Sequence, residues 1–165
     1  MDQHFLSSSF REKLIEHLFV GELLKLSWQR GDCSLEIARP EVDNRGYDLI
    51  AENNGIVRHI QLKASHLKAK ASKQSVHVAL ESKPSGCVIW VFFDQEALTL
   101  GPFLFFGAKA GKSLPSISNF KIAKHTKGNA QGLKAERPEI REIPKSRFRK
   151  LLSTTEVYDE LFKRV

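Results

Sequence analysis

Glu22 is the first residue whose surroundings suggest chemistry, because it is a carboxylate within an apolar stretch of a predicted helix. Its helical neighbours at i−7, i−4, i−3 and i+4 are all apolar: Ile15, Leu18, Phe19 and Leu26. Burying an ionised carboxylate is costly unless a cation or a hydrogen-bond network compensates. The pattern predicts a functional acid, with a helix-edge residue or a structural ion pair as the alternative. Glu16, whose neighbours at i−4 and i−3 are charged, is predicted to face solvent.

Asp48, Gln61 and Lys63 supply further polar groups on predicted strands. Aspartate is a poor strand residue, so Asp48 either finishes the preceding turn or has a purpose of its own on the strand. Gln61 and Lys63 are two positions apart, which places both side chains on one face of a strand. Ile60 and Leu62 then point to the other face, into the core. An oxygen ligand followed two positions later by an ammonium suits phosphodiester hydrolysis.

These side-chain types predict metal-assisted chemistry. A divalent metal polarises a phosphoryl oxygen and lowers the pKa of a bound water, while a lysine steadies the hydroxide or the developing charge. Hard oxygen ligands such as Glu22 and Asp48 favour Mg²⁺ over zinc, with Mn²⁺ as a substitute. His59 shares the face of Gln61 and Lys63, and is either an accessory residue or a partly exposed strand histidine.

The elements that must position these residues are predicted by local patterns. Residues 10–30 read as one long helix, with serines before it and Gly31 after it. Strand candidates follow at short intervals: 34–39, 47–52 and 56–64. Asn53-Asn54-Gly55 is a strong hairpin turn signal between the last two. The continuous apolar run at 87–93 predicts a central strand covered on both faces.

The remaining segments carry weaker signals. Residues 76–80 predict a short strand or a helical turn, and 104–106 a further strand. Residues 107–144 are rich in Gly, Lys and Ser with little periodicity, which predicts mainly loops. A closing helix is expected over 145–165. We expect one α/β domain over 1–165, because no repeat or linker interrupts the chain.

A helix with a glutamate, a strand with GYDL, a tight turn and a strand with IQLK together resemble the PD-(D/E)xK nuclease superfamily. The resemblance covers about residues 10–93 and implies a restriction-endonuclease-like core, with a mixed central sheet flanked by helices. Residues 94–165 would be a basic C-terminal extension of the same domain. The resemblance also implies a homodimer as one option, because many enzymes of this fold pair to cut both strands.

The resemblance assigns roles position by position. It implies that Glu22 is the helix acid, Asp48 the strand aspartate and Lys63 the catalytic lysine. Gln61 stands where most members carry Glu or Asp. Because an amide binds a cation less strongly than a carboxylate, the metal would rely on Asp48, Glu22 and the backbone carbonyl of Leu62.

Positive charge is concentrated in one part of the chain. The net charge is +7, yet residues 107–150 hold 12 Lys or Arg against 3 Glu, a net charge of +9. Such a field attracts polyphosphate chains, so nucleic acid is the expected partner, DNA more than RNA by the resemblance. A solvated basic surface is the alternative. The candidate contacts are Lys109, Lys112, Lys124, His125, Lys127 and Arg137.

Several classes of protein are disfavoured. No apolar run approaches the roughly 20 residues that span a bilayer, and no secretion signal is visible, so a cytoplasmic location is expected. Cys33 and Cys87 are too few for a disulfide framework or a zinc cage. The sequence predicts a metal-dependent nuclease. Its rivals are a nucleic-acid-binding module with a degenerate nuclease fold, which Gln61 makes credible, and a protein-interaction subunit with a basic face.

Overall fold

A long α-helix, a series of strands and a short closing α-helix follow one another along residues 7–42 and 44–163, which the computed structural model describes. Their bounds are α1 Ser8–Arg30, β1 Glu36–Ala38, β2 Leu49–Asn53, β3 Ile56–His66, β4 Lys73–His77, β5 Cys87–Phe93, β6 Leu100–Gly107, β7 Lys121–Lys124, β8 Glu136–Pro144, β9 Arg149–Leu151 and α2 Thr154–Phe162. Short 3-10 turns occupy Val78–Ser82 and Lys145–Arg147. The architecture is therefore mixed α/β.

The predicted long helix is confirmed as α1. Gly31 ends it in the left-handed conformation (φ 74°), and its N–H donates to the carbonyl of Trp28 at 3.0 Å. Glycine is favoured there because side chains strain this backbone conformation. Ser7 precedes the helix, but its side chain makes no capping hydrogen bond. Ile15, Phe19 and other residues of one face are buried against the sheet.

The larger sheet has six strands in the order β1-β2-β3-β5-β6-β9. Strands β1, β2 and β3 form the predicted antiparallel meander, and β3 runs parallel to β5. The β2–β3 turn has positive φ at Asn54 (49°) and Gly55 (81°), as its sequence predicted. Strand β5 is buried along its whole length between β3 and β6, which confirms the central strand.

Alternate residues of β5 enter two separate cores. Ile89 and its same-face neighbours pack with α1 and α2 on one side of the sheet. Trp90 and the other alternate residues pack on the opposite side with Leu80 and Ile143. The second core is closed by a smaller sheet of three strands, in the order β4-β8-β7. Both faces of β5 are covered for this reason.

The smaller sheet corrects the prediction of loops over 107–144. Strand β8 pairs with both β4 and β7, yet only Ile143 of its residues is buried. A strand with so few apolar positions shows no period of two in the sequence, so the pattern missed it. The prediction for 76–80 is met in both forms, because β4 runs into a 3-10 turn at Val78.

The predicted closing helix is wrong over its first half. Residues 149–151 form β9, an edge strand beside β6, and α2 begins only at Thr154. The Ser153 hydroxyl accepts a hydrogen bond from the Glu156 N–H at 3.2 Å, and this cap fixes the start of α2. The S-x-x-E spacing was the signal for it. Neither helix of the described chain is long and apolar enough to cross a membrane.

Candidate active site

Asp48 lies where β2 and β3 separate. The pairing of the two strands ends at Leu49 and Ile60, whereas β3 continues to His66 beside β5. The Asp48 N–H donates to the Ile60 carbonyl at 2.8 Å, and Asp48 Oδ2 accepts the Leu62 N–H at 2.7 Å. An unpaired strand N–H needs an acceptor, and the carboxylate supplies it. The backbone of β3 thus fixes the Asp48 side chain at the edge of the sheet.

A cleft of about 430 Å³ opens at this point. It is lined by Glu12, Lys13, Ile15, Glu16, Asp48, Gln61, Leu62, Lys63, Ala64 and Gln74. The structure therefore brings together Asp48, Gln61 and Lys63, as the sequence predicted, with residues of α1 and β4. A cavity near the β2–β3 turn is larger, at about 820 Å³. The smaller cleft is distinguished by its carboxylates, amides and ammonium groups.

Glu22 is not among the residues that line the cleft, which corrects its predicted position. Its side chain is 39% exposed and forms an ion pair with Lys25 at 3.0 Å. On an ideal helix it lies about 240° around and roughly 9 Å along the axis from Glu16. The alternative of a helix-edge residue in an ion pair describes Glu22 correctly.

Glu16 occupies the position in the cleft that was expected of Glu22. It is only 5% exposed, so the prediction that it faces solvent is wrong. Arg39 Nε donates to its Oε1 at 2.6 Å and Lys13 Nζ to its Oε2 at 2.9 Å. Burial alone would raise the pKa of Glu16, but these hydrogen bonds outweigh it and hold the pKa below its usual value. Glu16 is therefore an ionised, buried acid.

Gln61 carries an unusual oxygen. Its Oε1 is buried and has no hydrogen-bond partner among the described residues. A buried acceptor without a partner is costly and calls for an unseen donor or ion. Lys63 lines the same cleft two positions later. On α1, the hydrogen bond to Glu16 is the main reason that the pKa of Lys13 is raised, and the charge of Asp48 adds to it.

The residues of the cleft fit a hydrated magnesium ion. Within residues 7–42 and 44–163, no group of three or more His, Cys, Asp or Glu could hold a metal. Mg²⁺ usually takes one or two carboxylates and keeps several waters, so it needs no such group. Asp48 and the unpaired oxygen of Gln61 offer hard oxygen ligands, and Glu12 and Glu16 face the same space.

The backbone of Leu62 faces the edge of β3 at which Asp48 lies. In an extended strand the N–H and C=O of one residue point to the same side. Because the Leu62 N–H points to Asp48, its carbonyl also faces the open edge of β3. His59, by contrast, is not among the lining residues. Its Nδ1 lies 2.8 Å from the Pro84 carbonyl and its ring meets that of Tyr47 edge-on.

The predicted nucleic-acid contacts fall into two groups. Lys109 and Lys112 line the cavity beside Gly55, at the hairpin end of β3. Ile56 beside this group is seven positions along β3 from Lys63 in the cleft, a separation of roughly 23 Å. All six candidate contacts come from one basic segment of the sequence, and the structure places them in two separate regions.

The second group lies on the smaller sheet. Lys124, His125, Lys127 and Arg137 are exposed on the β7–β8 hairpin, defined here as 121–144. His125 and Arg137 line a cavity with His77, the last residue of β4. A Cβ on Gly46 would lie 2.6 Å from His77 Cβ, so β4 packs against the loop before Asp48. Strand β4 also places Gln74 in the cleft, which no sequence signal indicated.

Comparisons with known proteins give one structural similarity to report. No family model and no curated protein matches the sequence. The chain is similar to a solved structure of the bacterial homing endonuclease I-Ssp6803I, with a TM-score of 0.33 and 17% identity. The alignment covers 74% of this chain and 85% of that one. A similarity at this level does not assign the chain to a family.

Proposed function

We propose that this protein is a metal-dependent nuclease that hydrolyses phosphodiester bonds, with DNA favoured over RNA. The observation that carries the proposal is the cleft at the open edge of β3. There a backbone-anchored carboxylate, Asp48, shares one space with a buried, unpaired amide oxygen, Gln61, and an ammonium, Lys63. This combination of groups suits phosphoryl chemistry better than the mixed linings of the other cavities.

Within this proposal, Asp48, Gln61 and the Leu62 carbonyl hold Mg²⁺. A bound Mg²⁺ supplies Lewis acidity toward a phosphoryl oxygen and acidifies a water. Glu16 replaces Glu22 as the acid of the first helix, acting through water because Arg39 and Lys13 already engage both its oxygens. Mn²⁺ serves as a substitute because it takes the same oxygen ligands.

Lys63 positions the water nucleophile and offsets the charge that develops on the phosphate. The carboxylates of the cleft would otherwise repel a polyanion. Lys13 and Arg39 reduce that repulsion through their contacts with Glu16. The site therefore balances acids that bind the cation with bases that accept the substrate.

The β7–β8 hairpin holds the substrate next to the cleft in this proposal. Lys124, Lys127 and Arg137 are exposed there, and β4 connects the smaller sheet to the loop before Asp48. Lys109 and Lys112 contact only a substrate long enough to span the sheet, roughly seven base pairs at about 3.4 Å each.

The decisive experiment compares Lys63→Met with Lys68→Met, an exposed lysine five positions later. Plasmid and branched DNA are incubated with Mg²⁺, Mn²⁺ or EDTA. Wild type and Lys68→Met should cut in either metal and not in EDTA, while Lys63→Met should lose about 10²- to 10⁴-fold in rate. Equal losses of cleavage rate in both variants would mean that any nearby positive charge has the same effect, and would contradict the assignment of Lys63.

Two other results would favour the rival functions. DNA binding without cleavage in any metal would indicate a binding module, consistent with the neutral Gln61. A gel shift without salt-sensitive retardation would indicate a protein partner instead, because nucleic-acid binding weakens with salt as counterions are released.

A further inference from the structure

Helix α1 presents a row of residues to solvent on the side away from the sheet. At 100° per residue, this row falls within a band of about 80°, opposite the buried Phe19. We define it as the outer row: Phe10, Leu14, His17, Gly21, Leu24 and Trp28, of which Leu14 is half-buried and the others are exposed. Phe10 is 72% exposed, Leu24 45% and Trp28 77%. Phe10 and Trp28 lie about 27 Å apart along the axis, at the two ends of the row, and Leu24 is one turn from Trp28. Large apolar side chains this exposed along one helix face are of the kind that marks an interface.

The spacing of the outer row indicates what covers it. Its intervals alternate between four and three residues, which is the spacing of a seam between two packed helices. The sequence of intervals is the same from both ends, because the row is symmetric about position 19. An antiparallel second copy therefore brings Phe10 opposite Trp28, Leu14 opposite Leu24, and His17 opposite Gly21.

Each of these pairs is complementary in size and chemistry. The two ends place an aromatic ring against an aromatic ring, and the leucines meet each other. At the centre a histidine faces a glycine, and a Cβ built on Gly21 would meet nothing within 4 Å. The open backbone at Gly21 provides the hole that the His17 ring can enter. The same surface serves both copies, as a two-fold interface requires.

The charge distribution also favours α1 as the surface through which two copies meet. Residues 8–30 carry four Lys or Arg and three Glu, so α1 is nearly neutral, whereas 107–150 carry +9. Two copies that meet through α1 bury little net charge, while an acidic protein partner would be drawn to the basic segment instead.

We propose that the outer row of α1 is the interface of an antiparallel, two-fold homodimer. The inference does not depend on the nuclease proposal, because it uses no residue of the cleft. Sedimentation equilibrium over a range of protein concentrations tests it directly. Wild type should show a monomer–dimer equilibrium, and a monomer mass at every concentration would overturn the proposal.

Trp28→Glu is the first variant, and Leu152→Glu is its control, because Leu152 is 67% exposed and lies outside α1. Loss of an aromatic anchor should weaken association by roughly 30-fold or more, and the control should stay within about threefold. Gly21→Leu separates an effect on association from an effect on the stability of the fold. It should raise the melting temperature, since glycine is a poor helix residue, yet weaken association by filling the hole. Dimerisation unchanged in Trp28→Glu and Gly21→Leu would overturn the proposal.

Crosslinking tests the orientation of the two helices. In a Cys33→Ser background, which removes the exposed native thiol, a mixture of His17→Cys and Gly21→Cys proteins should form a disulfide-linked heterodimer. Neither variant alone should crosslink efficiently. Identical positions are then offset by about 6 Å along the axis in addition to the separation between the two packed helices, which places their Cα atoms beyond the reach of a disulfide, about 7 Å. Crosslinked homodimers of each single variant, with no crosslinked heterodimer in the mixture, would indicate parallel helices and reject the antiparallel interface.

Discussion

Strand β3 carries two side chains with buried polar atoms, Arg58 and Gln61, and the two differ in how those atoms are satisfied. At the hairpin end, Arg58 is fully buried, and its Nε, Nη1 and Nη2 donate to the carbonyls of Leu161, Ala108 and Glu160, each at 3.0 Å. Three positions later, beside the cleft, the Gln61 oxygen is buried without a hydrogen-bond partner among the described residues.

The difference separates a structural group from a binding group. Two of the carbonyls that Arg58 satisfies lie in the last turn of α2, where the helix has none of its own donors left. Burial lowers the pKa of Arg58, yet the guanidinium stays a cation and suits a helix C-terminus. Gln61 contributes no comparable bond through its oxygen. A buried group that the fold leaves unsatisfied is available for a ligand.

Arg58→Met should produce the largest loss of stability. It keeps much of the side-chain volume but leaves buried carbonyls without donors, which should cost about 3 kcal/mol or more. Urea unfolding measures the loss, and Arg137→Met, an exposed arginine, is the control, with an expected change within about 0.5 kcal/mol. In Arg58→Met, the cleavage rate per folded molecule should equal that of wild type at low urea. Equal stability of the two variants would contradict a structural role for Arg58.

Glu16→Gln and Glu22→Gln sharpen the assignment of the helix acid. Glu16→Gln should lower the free energy of unfolding by about 1–2 kcal/mol, because Arg39 and Lys13 lose a buried charge partner. It should also slow cleavage by about tenfold or more. Glu22→Gln should change stability by less than about 0.5 kcal/mol, as for other exposed ion pairs. A larger loss of activity in Glu22→Gln would restore the original assignment.

The sequence predicted the strand half of the site because those signals are local. The Asn-Gly turn fixes the register of β2 and β3, and a period of two then places Gln61 and Lys63 together. The same alternation puts Arg58 on the core face with Ile60. Its burial was therefore readable from the strand pattern, though its carbonyl partners come from a distant part of the chain.

The helix half of the site depended on tertiary packing. Apolar residues surround α1, so the sequence does not show which arc faces the sheet and which faces a cleft. Glu12, Lys13 and Glu16 form a polar arc that covers the cleft, although such an arc usually faces water. Gln74 and β8 likewise depend on pairing between segments that are far apart in sequence.

Gln61→Glu tests whether the unpaired oxygen is a metal ligand. A carboxylate there should destabilise the metal-free protein by about 1–2 kcal/mol, because a buried charge gains no compensating donor. It should bind Mn²⁺ about tenfold more tightly, since charge strengthens an oxygen ligand. Calorimetric titration with Mn²⁺ and urea unfolding with and without metal give both values. Unchanged Mn²⁺ affinity would remove Gln61 from the metal site.

The buried acid should also make stability depend on pH in a defined window. The pKa of Glu16 in the folded protein is below its ordinary value of 4.5, which the unfolded chain retains. The contribution of ionised Glu16 to the free energy of unfolding is therefore complete above about pH 4.5. It declines as the pH falls from there through the pKa of the folded state. The difference in unfolding free energy between wild type and Glu16→Gln should shrink below that pH. A difference that is constant from neutral pH down to pH 3 would show that Arg39 and Lys13 do not lower the pKa of Glu16.

The smallest effect should distinguish the two basic groups, one on the β7–β8 hairpin and one beside the β2–β3 turn. Replacing Lys124 and Arg137 by Gln removes two phosphate contacts near the cleft, so the slope of log K against log salt should fall by roughly two. The matched pair Lys109→Gln and Lys112→Gln lies at the far end, beside the β2–β3 turn. On a duplex too short to span the sheet, only the first pair should change the slope, whereas on a long duplex both should. Equal effects on the short duplex would mean that the two groups act as one diffuse field, and would contradict a substrate track that begins at the β7–β8 hairpin.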